Sequence, residues 1–425
     1  MKVAKRMFVI VVALGFLTMS CEGGSNGAKV LRINTWDTDL VVVYLEQIAS
    51  DFMKLHPDIK IQVESVPQGF EQSILVQLAG GSAPDVFQVS DSLLSNFHAM
   101  GALMDITPFI NGDNPLNLDD FYESILDIGK IGDGMFVLPA DFTTQVVYYN
   151  KDIFDEAGIA YPAEDWTWED FRQIAKRLTI YDATNNPERF GAVLPLAYGS
   201  RGALPFIYAF GGDLISPDGS TVLGYTNSDA TIAAMQWLSD LTHVDKVVPS
   251  AIQTGAMQGI DLFLSGLAAM SITGSWPASG YVDAGLNFGT ATLPKGPAGQ
   301  YGTSHYAGYG ISKDTKYLEE AWLFLRYLAT EGRYIFSQRA MVAYIPAVFA
   351  AGQDAIPHMQ AFFKMTEFAK PFPELLNPEW RTTAGRLFEE VAGEIQLGTA
   401  TDIRVLLDEA AEKGQAEMEE KMGLR

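Results

Sequence analysis

One cysteine, Cys21, is all that 425 residues contain. A disulfide within the chain is therefore impossible, and the fold has to rest on its apolar core. Histidine is scarce as well: His56, His98, His243, His305 and His358 lie far apart, and none has the spacing of a metal-ligand set. Positive charge is in short supply, with 29 Lys and Arg against 52 Asp and Glu. Such a surface repels nucleic acid and offers no polybasic patch to anionic lipid. No apolar run reaches the roughly 20 residues that span a bilayer. There is no Walker A signature and no G-x-G-x-x-G after a strand; Gly308-Tyr309-Gly310 is one glycine pair, suited to a close backbone approach. The single G-x-S-x-G, at Gly23, Ser25 and Gly27, has no strand before it and so no rigid elbow. No cofactor and no metal are implied.

What is present begins with location. Lys2, Lys5 and Arg6 precede the apolar run Met7 to Leu17, which is too short to cross a membrane and fits the core of a secretory signal over residues 1–20. Cys21 follows, and residues 21–29 read as a flexible tether. A cysteine placed this way resembles the lipobox of bacterial lipoproteins, which implies lipidation at Cys21. Thr18 stands where that pattern usually has leucine, and Leu17 lies one residue earlier. The alternative is a plain cleaved signal. Without residues 1–20, 26 Lys and Arg face the 52 acids, about −26. A hydrophobic content of 48% with 12% aromatics excludes a disordered chain. About 400 residues of mature chain call for two or more lobes.

"VLRINTW" alternates as a strand, and Val41, Leu45, Ile48, Phe52 and Leu55 recur at helical spacing before Pro57. "IKIQVES" and "PDVFQVS" give further strands, with helices at "EQSILVQLAGG" and "SLLSNFHAMG" between and after them. This alternation predicts an α/β layer with a mostly parallel sheet, whose ligand crevice lies beyond the strand carboxyl ends. Around residue 140 a strand-rich passage leads into a short helix. In "DWTWEDFRQIAKRLT", Thr167 caps a helix with Asp170 three residues on, and Phe171, Ile174, Ala175 and Leu178 form its inner stripe. Further helices are expected at "TIAAMQWLSDLT", from Tyr317 to Tyr327 and in the charged tail from Thr401.

Enzymatic chemistry is thinly represented. Asp37 and Asp39 could act as an acid–base pair or hold a cation, but Asp39 fits the cap of the helix that follows. The aromatic pattern is richer. Trp36, Trp276 and Trp380 all stand near predicted element ends, where an indole face can pack on the C–H face of a sugar ring; filling a core gap is the other reading.

Five passages in order, "LAGGSAPDVFQVSD", "YYNKDIFDEAGI" with "WTWEDF", "FGGDLI", "FLSGLAAMSITGSW" and "HYAGYGIS", are similar to the family 1 extracellular solute-binding proteins, the group that includes maltodextrin-binding protein. The resemblance spans nearly the whole mature chain. It implies a two-lobed periplasmic-binding-protein type II fold, each lobe a mixed, mostly parallel sheet flanked by helices. It also implies a cleft that holds solute for delivery to the membrane permease subunits of an ABC importer. On this basis the N-terminal lobe comprises residues 30–142 and 309–344, and the C-terminal lobe residues 143–308 and 345–425. Carried over position by position, the ligand contacts are Trp36, Asp37, Gln68, Asp91, Asp141, Tyr198, Trp276, Tyr309, Trp380 and Arg381. Thr143 stands where the maltodextrin binder has an acid, which speaks against a long maltodextrin. A neutral mono- or oligosaccharide leads over a polyol or glycerol phosphate, because only Arg381 and Arg201 face three acids among these positions. The resemblance implies a monomer, exported and lipid-anchored at the extracytoplasmic face of a bacterial membrane. An exported glycan-processing enzyme with paired carboxylates, or an envelope scaffold, are the readings from other classes.

Overall fold

The structure, a computed structural model, describes residues 28–184, 186–194, 200–254, 259–338 and 340–423. The first part of the chain alternates as its apolar pattern predicts: β1 (Lys29–Thr35), α1 (Asp39–Leu55), β2 (Ile59–Ser65), α2 (Phe70–Ala79), β3 (Val86–Ser90) and α3 (Asp91–Ala99). Leu31 and Ile33 of β1 and Leu45, Ile48 and Phe52 of α1 are buried together, the alternating and the helical stripe meeting face to face. Leu55, expected to complete that stripe, is 64% exposed at the helix end. Thr38, not Asp39, is the cap residue of α1; Asp39 is the first residue inside the helix.

The chain then runs through β4 (Val137–Thr144) directly into β5 (Val146–Asn150), with Gln145 between them. These two strands belong to different sheets. The helix α4 (Trp168–Leu178) carries the expected capping box: Asp170 N donates to Thr167 Oγ1 at 3.1 Å and Thr167 N donates to Asp170 Oδ2 at 2.8 Å. Next come α5 (Ser200–Phe210), α6 (Asp229–His243), β6 (Met270–Thr273), α7 (Ala278–Asp283), β7 (Phe288–Ala291) and the long strand β8 (Gly302–Ile311). The last third is mainly helical, with α8 (Leu318–Ala329), α9 (Arg333–Phe336), α10 (Ile345–Ala350), β9 (Ala369–Lys370), α11 (Pro373–Leu376), α12 (Ala384–Leu397) and α13 (Ile403–Lys421).

Two sheets organise these elements. The larger has the order β9-β8-β3-β1-β2, with β4 also paired to β8. β1 lies parallel to β2 and β3, whereas β8 runs antiparallel to β3 and β4. In the smaller sheet β5 is central and pairs antiparallel with β6 and β7, while Phe190–Ala268 and Val193–Ser271 form parallel bridges beside β6. All five residues of β5 are buried, as a central strand covered on both faces requires.

Candidate functional site

A hollow of about 420 Å³ is walled by residues from both sheets. Trp36 and Asp37 enter from the turn that leaves β1, and Tyr44 from the first turns of α1. Asp141, Phe142 and Thr143 come from β4, Ser275 and Trp276 from the loop after β6, and His305 and Tyr306 from β8. Phe336 and Met341 close one side. The segments after β1 and β6 supply both indoles and Asp37, as the position of crevices in α/β sheets leads one to expect, whereas Asp141 comes from within β4. The wall is mostly aromatic and apolar, with few polar groups converging on it, the usual make-up of a small-molecule site.

The two acids are held differently. Asp37 Oδ2 accepts from Thr35 Oγ1 at 2.7 Å and from Gln88 Nε2 at 3.0 Å. Burial pushes its carboxyl upward against those two bonds. Asp141 Oδ1 accepts from Arg333 Nη1 at 2.9 Å. Burial pushes Asp141 up to about 6, with the Arg333 charge pulling the other way. Arg333 is itself 0% exposed: Nε donates to Leu328 O at 2.7 Å and the guanidinium lies 4.2 Å over the Phe336 ring. Its Nη2 has no partner among the described residues. Asp37, Asp141 and Arg333 sum to one negative charge beside the hollow.

Trp276 is 49% exposed and is set by its own loop. Tyr148 Oη donates to Gly274 O at 2.9 Å, and Ser275 N donates to Thr143 Oγ1 at 2.8 Å. Gly274 leaves the indole its place, because a Cβ there would stand 2.1 Å from the Trp276 ring. Trp36 stands edge-on to Phe70 at 5.3 Å, which fixes its ring. His305 presents its edge to Trp276 at 6.2 Å; burial lowers its pKa to about 4, so the imidazole is neutral at pH 7.

Of the ten expected contacts, Trp36, Asp37, Asp141 and Trp276 meet in this hollow. Asp91 does not line it: 2% exposed at the start of α3, its carboxylate lies 2.9 Å from Arg201 Nη2, which also lies 2.9 Å from Glu374. Arg201 spreads over Phe372 at 4.3 Å and approaches His305, so it forms a layer behind the wall. Tyr309 is 2% exposed within β8, and burial raises its phenol well above the usual value. Trp380 is likewise displaced from expectation: 2% exposed, its indole packs over Gly385 of α12, where a Cβ would be 2.7 Å away. The core reading of that tryptophan is the one the structure bears. Gln68 is exposed just before α2. Arg381 is exposed too, donating to Ser92 O at 3.2 Å and lying 3.6 Å from Glu71. Tyr198 and Cys21 lie outside the described residues.

Sequence reasoning missed Tyr44, His305, Phe336 and Met341, along with Arg333 behind Asp141. Tyr44 carried a weak signal, a large aromatic at the edge of the apolar stripe of α1, three residues after Val41 and four before Ile48. The others rest on contacts with residues distant in sequence and carried none. No group of three or more metal-ligating side chains occurs among the described residues, and none of their helices is long and apolar enough to cross a membrane.

Two sheets with a walled hollow between them, and a chain that passes directly from one sheet to the other, define a two-lobed binding-protein fold. The chain belongs to the bacterial extracellular solute-binding protein family, whose pattern matches residues 39–333. It is 26% identical to the maltodextrin-binding protein MdxE of Bacillus subtilis, covering 97% of this chain and 99% of that one. In structure it is similar to an ABC substrate-binding protein from Listeria monocytogenes in complex with cycloalternan, with a TM-score of 0.77, 23% identity, and coverage of 93% of this chain and 98% of the other. It is similar also to UgpB from Mycobacterium tuberculosis in complex with glycerophosphocholine, with a TM-score of 0.79, 17% identity, and coverage of 93% and 100%. These structural likenesses establish the type II two-lobed fold.

Proposed function

We propose that this protein is an extracytoplasmic receptor that binds a sugar in the hollow between its lobes and hands it to an ABC importer. The observation that carries this reading is the meeting of Trp36 and Trp276 with Asp37 and Asp141 in one cavity. Indole faces suit the C–H faces of a pyranose, and carboxylates accept from its hydroxyls. A relative named for maltodextrin binding supports the same solute class. The lobes are residues 30–142 with 309–344, and 143–308 with 345–425. A ligand touching both favours the closed arrangement by its contacts across the gap. The protein is a monomer, exported and tethered through a lipid on Cys21, and it leaves its sugar chemically unchanged.

A phosphate-bearing solute, which the likeness to UgpB raises, asks for converging cations. The hollow is lined by Asp37 and Asp141 instead, and Arg201 is already engaged with two acids. A thermal-shift screen over mono- and oligosaccharides, polyols and glycerol phosphate tests the assignment. A sugar that raises the melting temperature and is recovered intact is the expected outcome; a response to glycerol phosphate alone contradicts it.

A further inference from the structure

Trp36 and Asp37 both leave β1, yet what holds them lies on the neighbouring strand. Gln88 of β3 is 1% exposed and does not line the hollow. Its side chain meets the turn after β1 from behind. Oε1 accepts from Trp36 N at 3.1 Å, and Nε2 donates to Asp37 Oδ2 at 3.0 Å. Thr35 Oγ1 stands 2.6 Å from that Oε1 and 2.7 Å from Asp37 Oδ2, so its one hydrogen serves either side of the same bridge.

The amide has one workable orientation. Turned over, it would set an N–H against the Trp36 N–H and a carbonyl against a carboxylate. The rest of the turn is tied down as well. Asp37 N donates to Thr35 Oγ1 at 3.0 Å, Ser65 Oγ to Asp37 O at 2.6 Å, and Val66 N to Thr35 O at 2.8 Å. An indole and a carboxylate fixed before a ligand arrives lose little freedom when it binds.

We infer that Gln88 is a positioning residue of the ligand site, orienting through one buried amide both the Trp36 indole and the Asp37 carboxylate. The inference rests on the sugar reading of the hollow. Gln88 touches no ligand itself; it acts through two residues that do.

The experiment is calorimetric titration of the full chain with glucose, maltose, maltotriose and galactose, together with hydrogen exchange at the Trp36 amide. Gln88→Met keeps the length of the side chain and removes both amide bonds. It is expected to weaken the binding seen in the unaltered chain on the order of tenfold and to speed exchange at Trp36 N. In an Asp37→Ala background the same change is expected to cost a clearly smaller factor, because the carboxylate it orients is gone; a role in stability alone would leave the factor the same. Parent-like affinity in Gln88→Met, or an undiminished factor beside Asp37→Ala, overturns the inference and leaves the sugar reading intact. An unaltered chain that binds none of the four sugars overturns the sugar reading, and this inference with it. If Gln88→Met does not fold, exchange in the unaltered, empty chain decides: the Trp36 amide is expected to exchange far more slowly than an open loop, and an open-loop rate overturns the inference.

Discussion

Ser275 N donates a 2.8 Å hydrogen bond to Thr143 Oγ1, joining the loop that carries Trp276 to the strand that carries Asp141. Thr143 is 6% exposed, so the bond is sheltered from water. The Thr143 hydroxyl is thereby a positioning group for the Trp276 loop. Thr143→Val leaves Ser275 N without its acceptor, at a cost of about 1–3 kcal/mol. A lower melting temperature together with weaker sugar binding is expected. Thr143→Ser, which keeps the oxygen, should retain most of both.

Gly274 allows the indole of Trp276 to lie back over its own loop. Gly274→Ala forces that ring to turn, since the added methyl would meet it at 2.1 Å. The fold survives because the ring is half exposed and has room outside. Sugar affinity measured by calorimetry should fall roughly tenfold, close to the loss in Trp276→Ala. Parent-like affinity in Gly274→Ala would remove Trp276 from the site.

Asp141 is expected to make binding and stability respond to pH in opposite directions. Its folded-state pKa of about 6 lies above the ordinary value of 3.8. The protonated form therefore favours the fold: the contribution of this group is complete below about pH 4 and is lost as pH rises through about 6. With the carboxylate as the acceptor for a sugar hydroxyl, binding is expected to weaken as pH falls below about 6. Asp141→Asn keeps an oxygen for Arg333 and should flatten this pH response of affinity between about pH 5 and 8. Dissociation constants across that range, for parent and variant, provide the check. An affinity that strengthens on acidification contradicts the role given to Asp141.

Arg201 holds two buried acids together, Asp91 from α3 and Glu374 from α11. Arg201→Met leaves both carboxylates without their cation. Breaking a buried pair in this way costs about 3–5 kcal/mol. Thermal denaturation should show the loss, and Arg201→Lys should recover only part of it, because an ammonium cannot reproduce the guanidinium's fork between two acids. A melting curve unchanged in Arg201→Met would show the cluster to be dispensable.

Much of the first lobe could be read directly from its residues. Leu31 and Ile33, and Leu45, Ile48 and Phe52, form stripes that match the observed buried faces. Trp36, Asp37 and Trp276, expected from the family resemblance, each follow a strand whose end faces the crevice. Asp91 obeys the same rule but is spent on Arg201, 110 residues away, and no local pattern shows that pairing. Trp380 was misplaced because the glycine that receives its ring is in the next helix, and a tryptophan beside a loop looks alike whether it faces in or out. The contributions of Phe336 and Met341 depend on how α9 lies against β4, a relationship set by tertiary packing alone.

The six strands of the larger sheet are drawn from Lys29 to Lys370, whereas β5, β6 and β7 of the smaller one lie between Val146 and Ala291. A ribosome making this chain releases the whole smaller sheet before β8, the antiparallel neighbour of both β3 and β4, has been synthesised. The early strands must therefore wait as an unfinished layer with an open edge, exposed to wrong partners until Gly302–Ile311 arrives. The sheet that begins first is thus the sheet that is completed last.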